Sequence, residues 1–113
     1  MVFDENKPIY LQIIDNICDR ILSGELHAED RIMSVRELGS ELGVNPNTVA
    51  RSYEKMTDAG IIYTKRGLGY FVASDALEAI RAKSKKEFME NDVPQFLRKM
   101  ELLGISKEEI FLK

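Results

Sequence analysis

Apolar residues recur at helical spacing near the start of the chain. Within residues 9–23 the apolar positions include Ile13 and Ile17, which fall on one face of a helix. Pro8 stands just before this stretch and Gly24 just after it, and these residue types favour a helix start and a helix end. The pattern therefore predicts a first helix over residues 9–23.

Two further helices, joined by a tight turn, follow in the pattern. Ser34 and Glu37 have the S-x-x-E spacing of a capping box, and Gly43 suits the end of this short second helix. Asn45 can cap a third helix whose first turn holds Pro46. The order of elements predicts a helix-turn-helix.

The apolar period changes to that of strands after Gly60. The segments IIYTK and YFVA are rich in β-branched and aromatic residues, and RGLG separates them. This arrangement predicts a β-hairpin. A hairpin directly after the second helix of a helix-turn-helix is called a wing. The glycines of RGLG are interpreted as turn residues, because no strand–loop–helix order or P-loop lysine accompanies them.

The helical period returns from Asp75 onward. A break between two helices is predicted at residues 92–94 because a proline stands there, and Gly104 predicts a second break. The predicted fold class is mainly α with a small β-hairpin (α+β). We divide the chain into a winged helix-turn-helix over residues 1–74 and a short helical segment over residues 75–113.

Composition excludes several classes of protein. The 113 residues are 44% hydrophobic and 31% charged, which is typical of a soluble globular domain. No apolar run reaches the roughly 18 residues of a membrane span, and the N-terminus lacks a secretory signal pattern. Cys18 is the single cysteine and His27 the single histidine. We therefore expect a cytoplasmic protein with no metal site and no cofactor.

Charge is distributed unevenly along the chain. The net charge is −3 overall, but residues 34–73 hold five basic and four acidic side chains. Residues 1–33 hold three basic and seven acidic side chains, and residues 74–113 hold eight of each. Residues 34–73 are thus the least acidic part of the chain, but they do not form a basic patch. An interaction with nucleic acid must therefore depend on the positions of individual cations in this segment and not on their number.

The third helix presents a polar face. At about 100° per residue, Asn47, Thr48, Arg51 and Lys55 fall opposite the side that carries Val49 and its apolar neighbours. The N-terminal residues of a recognition helix meet base edges in the major groove. Asparagine can pair with adenine and arginine with guanine. This face is therefore a candidate DNA-reading surface.

Cations on two neighbouring elements support the same interpretation. Arg36 opens the second helix, and Lys65 and Arg66 stand at the predicted wing tip with Gly67. An extended cation at a wing tip can enter the minor groove.

Other interpretations of the same residues remain open. Asn45 can serve only as a cap, and Glu54 can pair with a neighbouring cation of the third helix. A winged helix can also serve as a protein-interaction module, which the acidic net charge favours. An RNA-binding role is disfavoured because no aromatic residues are expected on an exposed sheet. An enzyme is the least favoured interpretation, and none is expected, because the sequence has no nucleophile–histidine–carboxylate set, no metal-ligand spacing and no phosphate loop.

The string DRIMSVRELGSELGVNPNTVARSYEKMTDAGIIYTKRGLGYFV resembles the DNA-binding domain of the GntR family of bacterial transcription regulators. The motifs S-x-R-E-L, V-N-P-N-T-V, A-G-I and G-x-G-Y-F-V carry the resemblance, over roughly residues 7–73. The opening PIYLQI and the short helical tail make the chain similar to the YtrA-like subfamily. Many family members have an arginine where this chain has Ala50, and neighbouring Arg51 can supply that charge.

The resemblance implies a winged helix-turn-helix that binds a two-fold double-stranded DNA operator as a homodimer, commonly as a repressor. Together with the residue pattern it predicts the following DNA-binding positions: Ser34, Arg36, Asn45, Pro46, Asn47, Thr48, Arg51, Lys55, Lys65, Arg66 and Gly67. The sequence identifies no small-molecule effector.

The short C-terminal segment is predicted to mediate dimerisation. Its roughly 40 residues cannot form an independent core, so its apolar stripe must fold back on the winged helix or pair with a second chain. Pairing is our interpretation, because a dimer doubles base readout. The predicted dimerisation residues are Leu77, Ile80, Phe88, Phe96, Leu97, Met100 and Leu103.

Overall fold

The computed structural model describes residues 1–112, which form six α-helices, one β-hairpin and one π-helical segment. The helices are α1 (Ile9–Leu22), α2 (Val35–Leu42), α3 (Pro46–Asp58), α4 (Ala76–Glu87), α5 (Val93–Leu103) and α6 (Lys107–Phe111), with strands β1 (Ile62–Lys65) and β2 (Gly69–Val72). The predicted class, mainly α with a small hairpin, is confirmed. The chain forms two compact units, Met1–Ile80 and the residues from Arg81 onward.

One apolar core holds the first unit together. The inward faces of α1 and α3 supply most of it, since apolar residues at helical spacing place their side chains on one side of each helix. The buried residues of this core are Ile13, Ile17, Ile21, Ile32, Val49, Tyr53, Met56, Ile62, Val72, Ala76 and Ile80. Ser52 is also fully buried, and its hydroxyl donates to the carbonyl oxygen of Tyr10 at 2.8 Å.

The helix-turn-helix is set by local rules. The Ser34 hydroxyl accepts from the Glu37 N–H at 3.1 Å, and the Glu37 carboxylate accepts from the Ser34 N–H at 3.1 Å, so the predicted capping box is present. Gly43 ends α2 with φ 67°, a left-handed conformation that glycine adopts without steric cost. The two helices meet closely at Gly39, where an added Cβ would lie 2.9 Å from the Val44 carbonyl oxygen.

The hairpin is joined by a third extended segment from the loop before α2. Strands β1 and β2 pair antiparallel, and Arg31 forms an isolated antiparallel bridge with Phe71. The Ile32 N–H donates to the Tyr70 carbonyl oxygen at 3.0 Å, and the Val72 N–H donates to that of Asp30 at 2.9 Å. The wing is therefore anchored along β2 to the chain that leads directly into α2.

Tyr53 connects three parts of the first unit. Its ring is 1% exposed and stands edge-on to Tyr70 of β2, with the ring centroids 4.8 Å apart. Its hydroxyl donates to the Met33 carbonyl oxygen at 2.6 Å. Burial raises the pKa of this hydroxyl above its ordinary value, so it remains a donor at neutral pH. Helix α3 is thereby fixed against both the wing and the start of α2.

The tail follows a helical path without the interruption predicted at residues 92–94. A π-helical segment (Phe88–Asp92) joins α4 to α5, and the Val93 N–H donates to the Phe88 carbonyl oxygen. Pro94 has no N–H, and its ring would clash with the carbonyl four residues earlier in a regular α-helix. The wider turn accommodates it. The end predicted at Gly104 is confirmed, with φ 65°.

Candidate functional site

The N-terminal end of α3 is built by Asn45. Its side-chain oxygen accepts from the Asn47 N–H at 2.8 Å, and Pro46 occupies the first turn. Asn45 is therefore a helix cap, as the sequence allowed. The side chain of Asn47 is exposed and that of Thr48 half-buried. The Asn47 and Thr48 N–H groups already donate to Asn45, so the start of α3 attracts an anion such as phosphate through these polar side chains and the helix dipole.

The start of α2 presents Arg36 to solvent. Its neighbour Ser34 is half-buried, and its hydroxyl oxygen is the acceptor of the capping box. Among residues 1–112 no ion pair involves Arg36. Its guanidinium is free to bind an external partner.

Arg31 brings the wing and the start of α2 together. Its Nε donates to the Leu68 carbonyl oxygen at 3.1 Å, and its Nη2 lies 3.8 Å from the Glu37 Oε1. An added Cβ at Gly69 would stand 3.3 Å from the Arg31 Nε, so the glycine leaves room for this side chain. One arginine therefore spans the distance between the wing turn and the first turn of α2.

Glu37 takes part in both the capping box and this contact. The hydrogen bonds from Ser34, followed by the charge of Arg31, hold the pKa of its carboxyl below the ordinary value of 4.5. Since the folded-state pKa is depressed, the stabilisation is present above pH 4.5 and is lost as the pH falls through the folded value.

We expect Glu37→Gln to lower the free energy of unfolding at pH 7 and to matter less at pH 3, because the wild-type carboxyl takes up protons as the pH falls below 4.5 through its depressed pKa. Urea titrations of both proteins at the two pH values check this. Glu41→Gln, at an exposed position of the same helix, is the matched control. A difference between wild type and Glu37→Gln that is the same at both pH values would contradict the assigned role.

The wing turn carries two cations and a left-handed glycine. Gly67 has φ 77°, Arg66 is exposed, and Leu68 at the same turn is 61% exposed. The Lys65 Nζ lies 4.5 Å from the ring centroid of Phe71. The ammonium is thus held over an aromatic ring while the arginine extends into solvent.

The hairpin carries an aromatic pair on one face of its sheet. Tyr63 and Phe71 are half-buried there, with ring centroids 6.1 Å apart. The strand alternation places both side chains on the same face, because residues 63 and 71 are directly paired. Lys65 covers Phe71, and the Tyr63 hydroxyl donates to the Glu29 carboxylate. Both aromatic side chains are therefore in contact with neighbouring side chains of the same protein.

The two cations of α3 have different surroundings. The Arg51 guanidinium carbon lies 3.9 Å from the ring centroid of Tyr10 in α1, whereas Lys55 is exposed near the C-terminal end of α3. Eight residues separate Lys55 from Asn47, or about 12 Å along the axis. No ion pair joins Glu54 to either cation within residues 1–112. The carboxylate therefore does not neutralise this face.

The predicted dimerisation residues divide into two groups. Ile80 is 5% exposed and Leu77 packs against the core of the first unit, so both serve that core. Met100 is also buried. By contrast, Phe88, Phe96, Leu97 and Leu103 are 45–71% exposed. Met89, Leu102, Phe111 and Leu112, which the pattern did not single out, are exposed to a similar degree.

Neither a cluster of metal ligands nor a membrane-spanning helix is found in the part of the chain that the structure describes. No group of three or more histidine, cysteine, aspartate or glutamate side chains there is arranged to hold a metal ion. None of its helices is long and apolar enough to cross a bilayer.

Sequence reasoning missed Arg31 and Tyr10, which hold two of the predicted site elements in place. Arg31 lies in a loop without apolar period, and Tyr10 lies 41 positions from the arginine that it contacts. Neither contact has a signal in residue spacing, because both join elements that are distant in sequence.

Comparison with known proteins gives one consistent result. Residues 9–72 match the family model described as bacterial regulatory proteins, gntR family. The chain is 41% identical over 110 residues to the uncharacterized HTH-type transcriptional regulator YhcF of Bacillus subtilis, covering 96% of this chain and 88% of that one. It is 31% identical to the HTH-type transcriptional repressor YtrA of the same organism, covering 93% and 80% of the two chains.

A solved structure agrees with these relatives. The structure of a GntR family transcriptional regulator from Listeria monocytogenes superposes with a TM-score of 0.80 at 40% identity. The match covers 97% of this chain and 95% of the other. The likeness therefore extends over both compact units of the chain and not only over the helix-turn-helix.

Proposed function

Because this chain belongs to the GntR family of bacterial regulatory proteins, we propose that it binds a two-fold DNA operator as a homodimer and represses transcription there. The coarser statement follows directly from the family. The chain is a transcriptional regulator with a DNA-binding helix-turn-helix, similar to YtrA, and it is not an enzyme.

The proposal rests on the position of Arg31, whose side chain contacts both the wing turn and the first turn of α2. These contacts keep the wing turn, with Arg66 and Gly67, close to the first turn of α2, where Arg36 is exposed. A DNA duplex presents a major groove flanked by phosphates and an adjacent minor groove. A protein that binds both grooves needs its major-groove and minor-groove contacts on elements that are fixed to one another.

The proposed contacts follow from the chemistry of each side chain. Asn47 reads a base edge in the major groove, where an amide can donate to and accept from adenine. Thr48 and Arg36 bind phosphates beside it, and Arg66 enters the minor groove. The remaining proposed contacts are Ser34, Asn45, Pro46, Arg51, Lys55, Lys65 and Gly67. Lys55, far from the helix start, contacts a phosphate.

The proposed dimer interface is the exposed apolar surface of the tail. Large apolar side chains exposed together mark an interaction site, and a unit of this size cannot bury them in a core of its own. The exposed side chains of Phe96 and Leu103 stand seven residues apart along α5, which places them on one helix face. A second copy of the same face is the partner that two-fold DNA requires.

Repression and location complete the proposal. The relative YtrA carries the name of a repressor, and a dimer seated on an operator can block access to the DNA beneath it. Its place of action is then the cytoplasm. The alternative is a winged helix that binds protein, which the acidic net charge of −3 favours.

Two substitutions separate base reading from phosphate binding. We expect Asn47→Ala to weaken binding to a selected duplex by about 1–3 kcal/mol and to change binding to a scrambled duplex little. Lys65→Ala should weaken both complexes alike and reduce the slope of log K against log salt by about 0.9. Fluorescence anisotropy over a series of salt concentrations measures both effects.

Lys85→Ala is the matched control, since Lys85 is an exposed lysine of α4 outside the proposed surface. It should leave both affinities close to wild type. Equal losses on selected and scrambled DNA for Asn47→Ala and Lys65→Ala would contradict the separate roles and would favour the protein-binding alternative.

A further inference from the structure

The guanidinium of Arg51 has a fixed neighbour in the free protein. Its central carbon lies 3.9 Å from the ring centroid of Tyr10, at the start of α1. A cation at this distance over an aromatic face is attracted by the electron-rich ring. Within residues 1–112 no carboxylate forms an ion pair with Arg51. The ring is therefore the group that restrains this cation.

The backbone of Tyr10 is held by the residue that follows Arg51 in α3. Ser52 is completely buried, and its hydroxyl donates to the Tyr10 carbonyl oxygen at 2.8 Å. Consecutive residues of α3 thus contact the backbone and the ring of one tyrosine. The relative position of the ring and the guanidinium is set by the packing of α1 on α3.

The start of α1 is fixed on its other side by Gln12. Its side-chain oxygen accepts from the Asp4 N–H at 2.7 Å, and its Nε2 donates to the carbonyl oxygens of Asp4 and Lys7 at 2.6 and 2.7 Å. These bonds fold the N-terminal segment onto the first turn of α1. Tyr10 therefore lies in a helix start whose backbone is held by hydrogen bonds from the side chains of Gln12 and Ser52.

We propose that Tyr10 is a positioning residue for DNA binding: its ring holds the guanidinium of Arg51 by one face and leaves the N–H edge directed at the duplex. The inference rests on the proposed function. A guanidinium donates from its edge, and its faces are free to stack, so stacking and hydrogen bonding to a base or phosphate are compatible.

Tyr10 strengthens DNA binding because it restricts the Arg51 side chain before the DNA binds. A free arginine side chain has about 2 kcal/mol of rotamer entropy to lose when it is immobilised. A ring that already restricts the side chain reduces the part of this cost that falls on binding. The phenolic hydroxyl of Tyr10 plays no part in this effect, since no hydrogen bond to it is formed within residues 1–112.

The test uses Tyr10→Phe, Tyr10→Leu, Arg51→Ala and the double variant Tyr10→Leu/Arg51→Ala, each titrated with a selected and a scrambled duplex. Tyr10→Phe keeps the ring and should bind like wild type. Tyr10→Leu should bind the selected duplex about two- to fivefold more weakly. The double variant should bind no more weakly than Arg51→Ala, because the ring acts only through the arginine.

Two further readouts separate positioning from stability. The free energy of unfolding of each variant is measured, and affinities are compared only for folded protein. The NMR signal of the Arg51 Nε–H in the free protein reports the nearby ring, so it should shift in Tyr10→Leu and stay nearly unchanged in Tyr10→Phe. If Tyr10 served stability alone, its substitution would change the free energy of unfolding, and the variants would show no coupling between Tyr10 and Arg51 in DNA affinity.

The outcomes distinguish this inference from the proposed function. Equal loss in Tyr10→Phe and Tyr10→Leu would overturn it in favour of a direct hydroxyl contact. Unchanged or tighter binding by Tyr10→Leu, or additive losses in the double variant, would also overturn it. In these cases a wild-type protein that still prefers the selected duplex leaves the proposed function standing. Equal wild-type binding to selected and scrambled duplexes would overturn both.

Discussion

Replacing Phe96 and Leu103 together by glutamate is expected to convert the proposed dimer into a monomer and to weaken operator binding by about 10²–10⁴-fold. The two side chains are 46% and 71% exposed and stand seven residues apart on α5, hence on one face. Carboxylates on both would face one another across a two-fold axis and would have to be desolvated there.

The large expected effect on DNA arises from linkage between the half-sites. Once one recognition helix of a dimer is bound, the other meets its half-site at a high effective concentration, and a monomer loses this advantage. None of the proposed DNA contacts is altered by the change. The affinity of one protomer for one half-site should therefore remain close to that of wild type.

Sedimentation velocity at tens of micromolar measures the assembly, and anisotropy with full and half operators measures binding. The control is Gln95→Glu/Arg98→Gln, which changes the net charge by the same −2 at other positions of α5. It should remain dimeric. A wild-type protein that sediments as a monomer, or a glutamate variant that stays dimeric, would contradict the assignment of the interface.

Gly39→Val is expected to lower the free energy of unfolding by about 3 kcal/mol or more. A Cβ at this position would lie 2.9 Å from the Val44 carbonyl oxygen and 3.6 Å from the Cα of Pro46, both of them backbone atoms. Backbone cannot move aside as a flexible side chain can. The turn between α2 and α3 must open, and the start of α3 moves with it.

Urea-induced unfolding of Gly39→Val beside Ser40→Val measures the effect. Ser40 is exposed in the same helix, so valine there carries the same helix propensity without the close approach. The control should change the stability by less than about 1 kcal/mol. Equal denaturation midpoints for the two variants would show that the contact at Gly39 does not limit the packing of α2 on α3.

Local rules made much of the first unit predictable from the sequence. The Ser34 capping box, the Asn45 cap and the glycine at position 43 each depend on residues a few positions apart, and each is present in the structure. The inward side of α3 was also predictable, because helical period alone places Val49 and its neighbours in the core.

Contacts between distant segments were not predictable in this way. Arg31 contacts the wing across 37 positions, and its loop has no period that predicts an element. Tyr10 lies on a helix whose apolar face was recognised, but nothing in its spacing indicates that Arg51 covers its ring. The helical period also could not show that Ile80 belongs to the core of the first unit. An apolar stripe indicates which side of a helix is buried, but it does not identify the element that buries it.

In vitro selection tests the central claim most directly. Purified protein is incubated with randomised duplex DNA at physiological salt, and the bound pool is sequenced after repeated rounds. The account predicts an inverted repeat whose half-sites are centred about 34 Å apart or a multiple of that distance. A pool without enrichment, together with binding that vanishes as salt rises, would contradict a sequence-reading dimer and would leave the protein-interaction module as the better account.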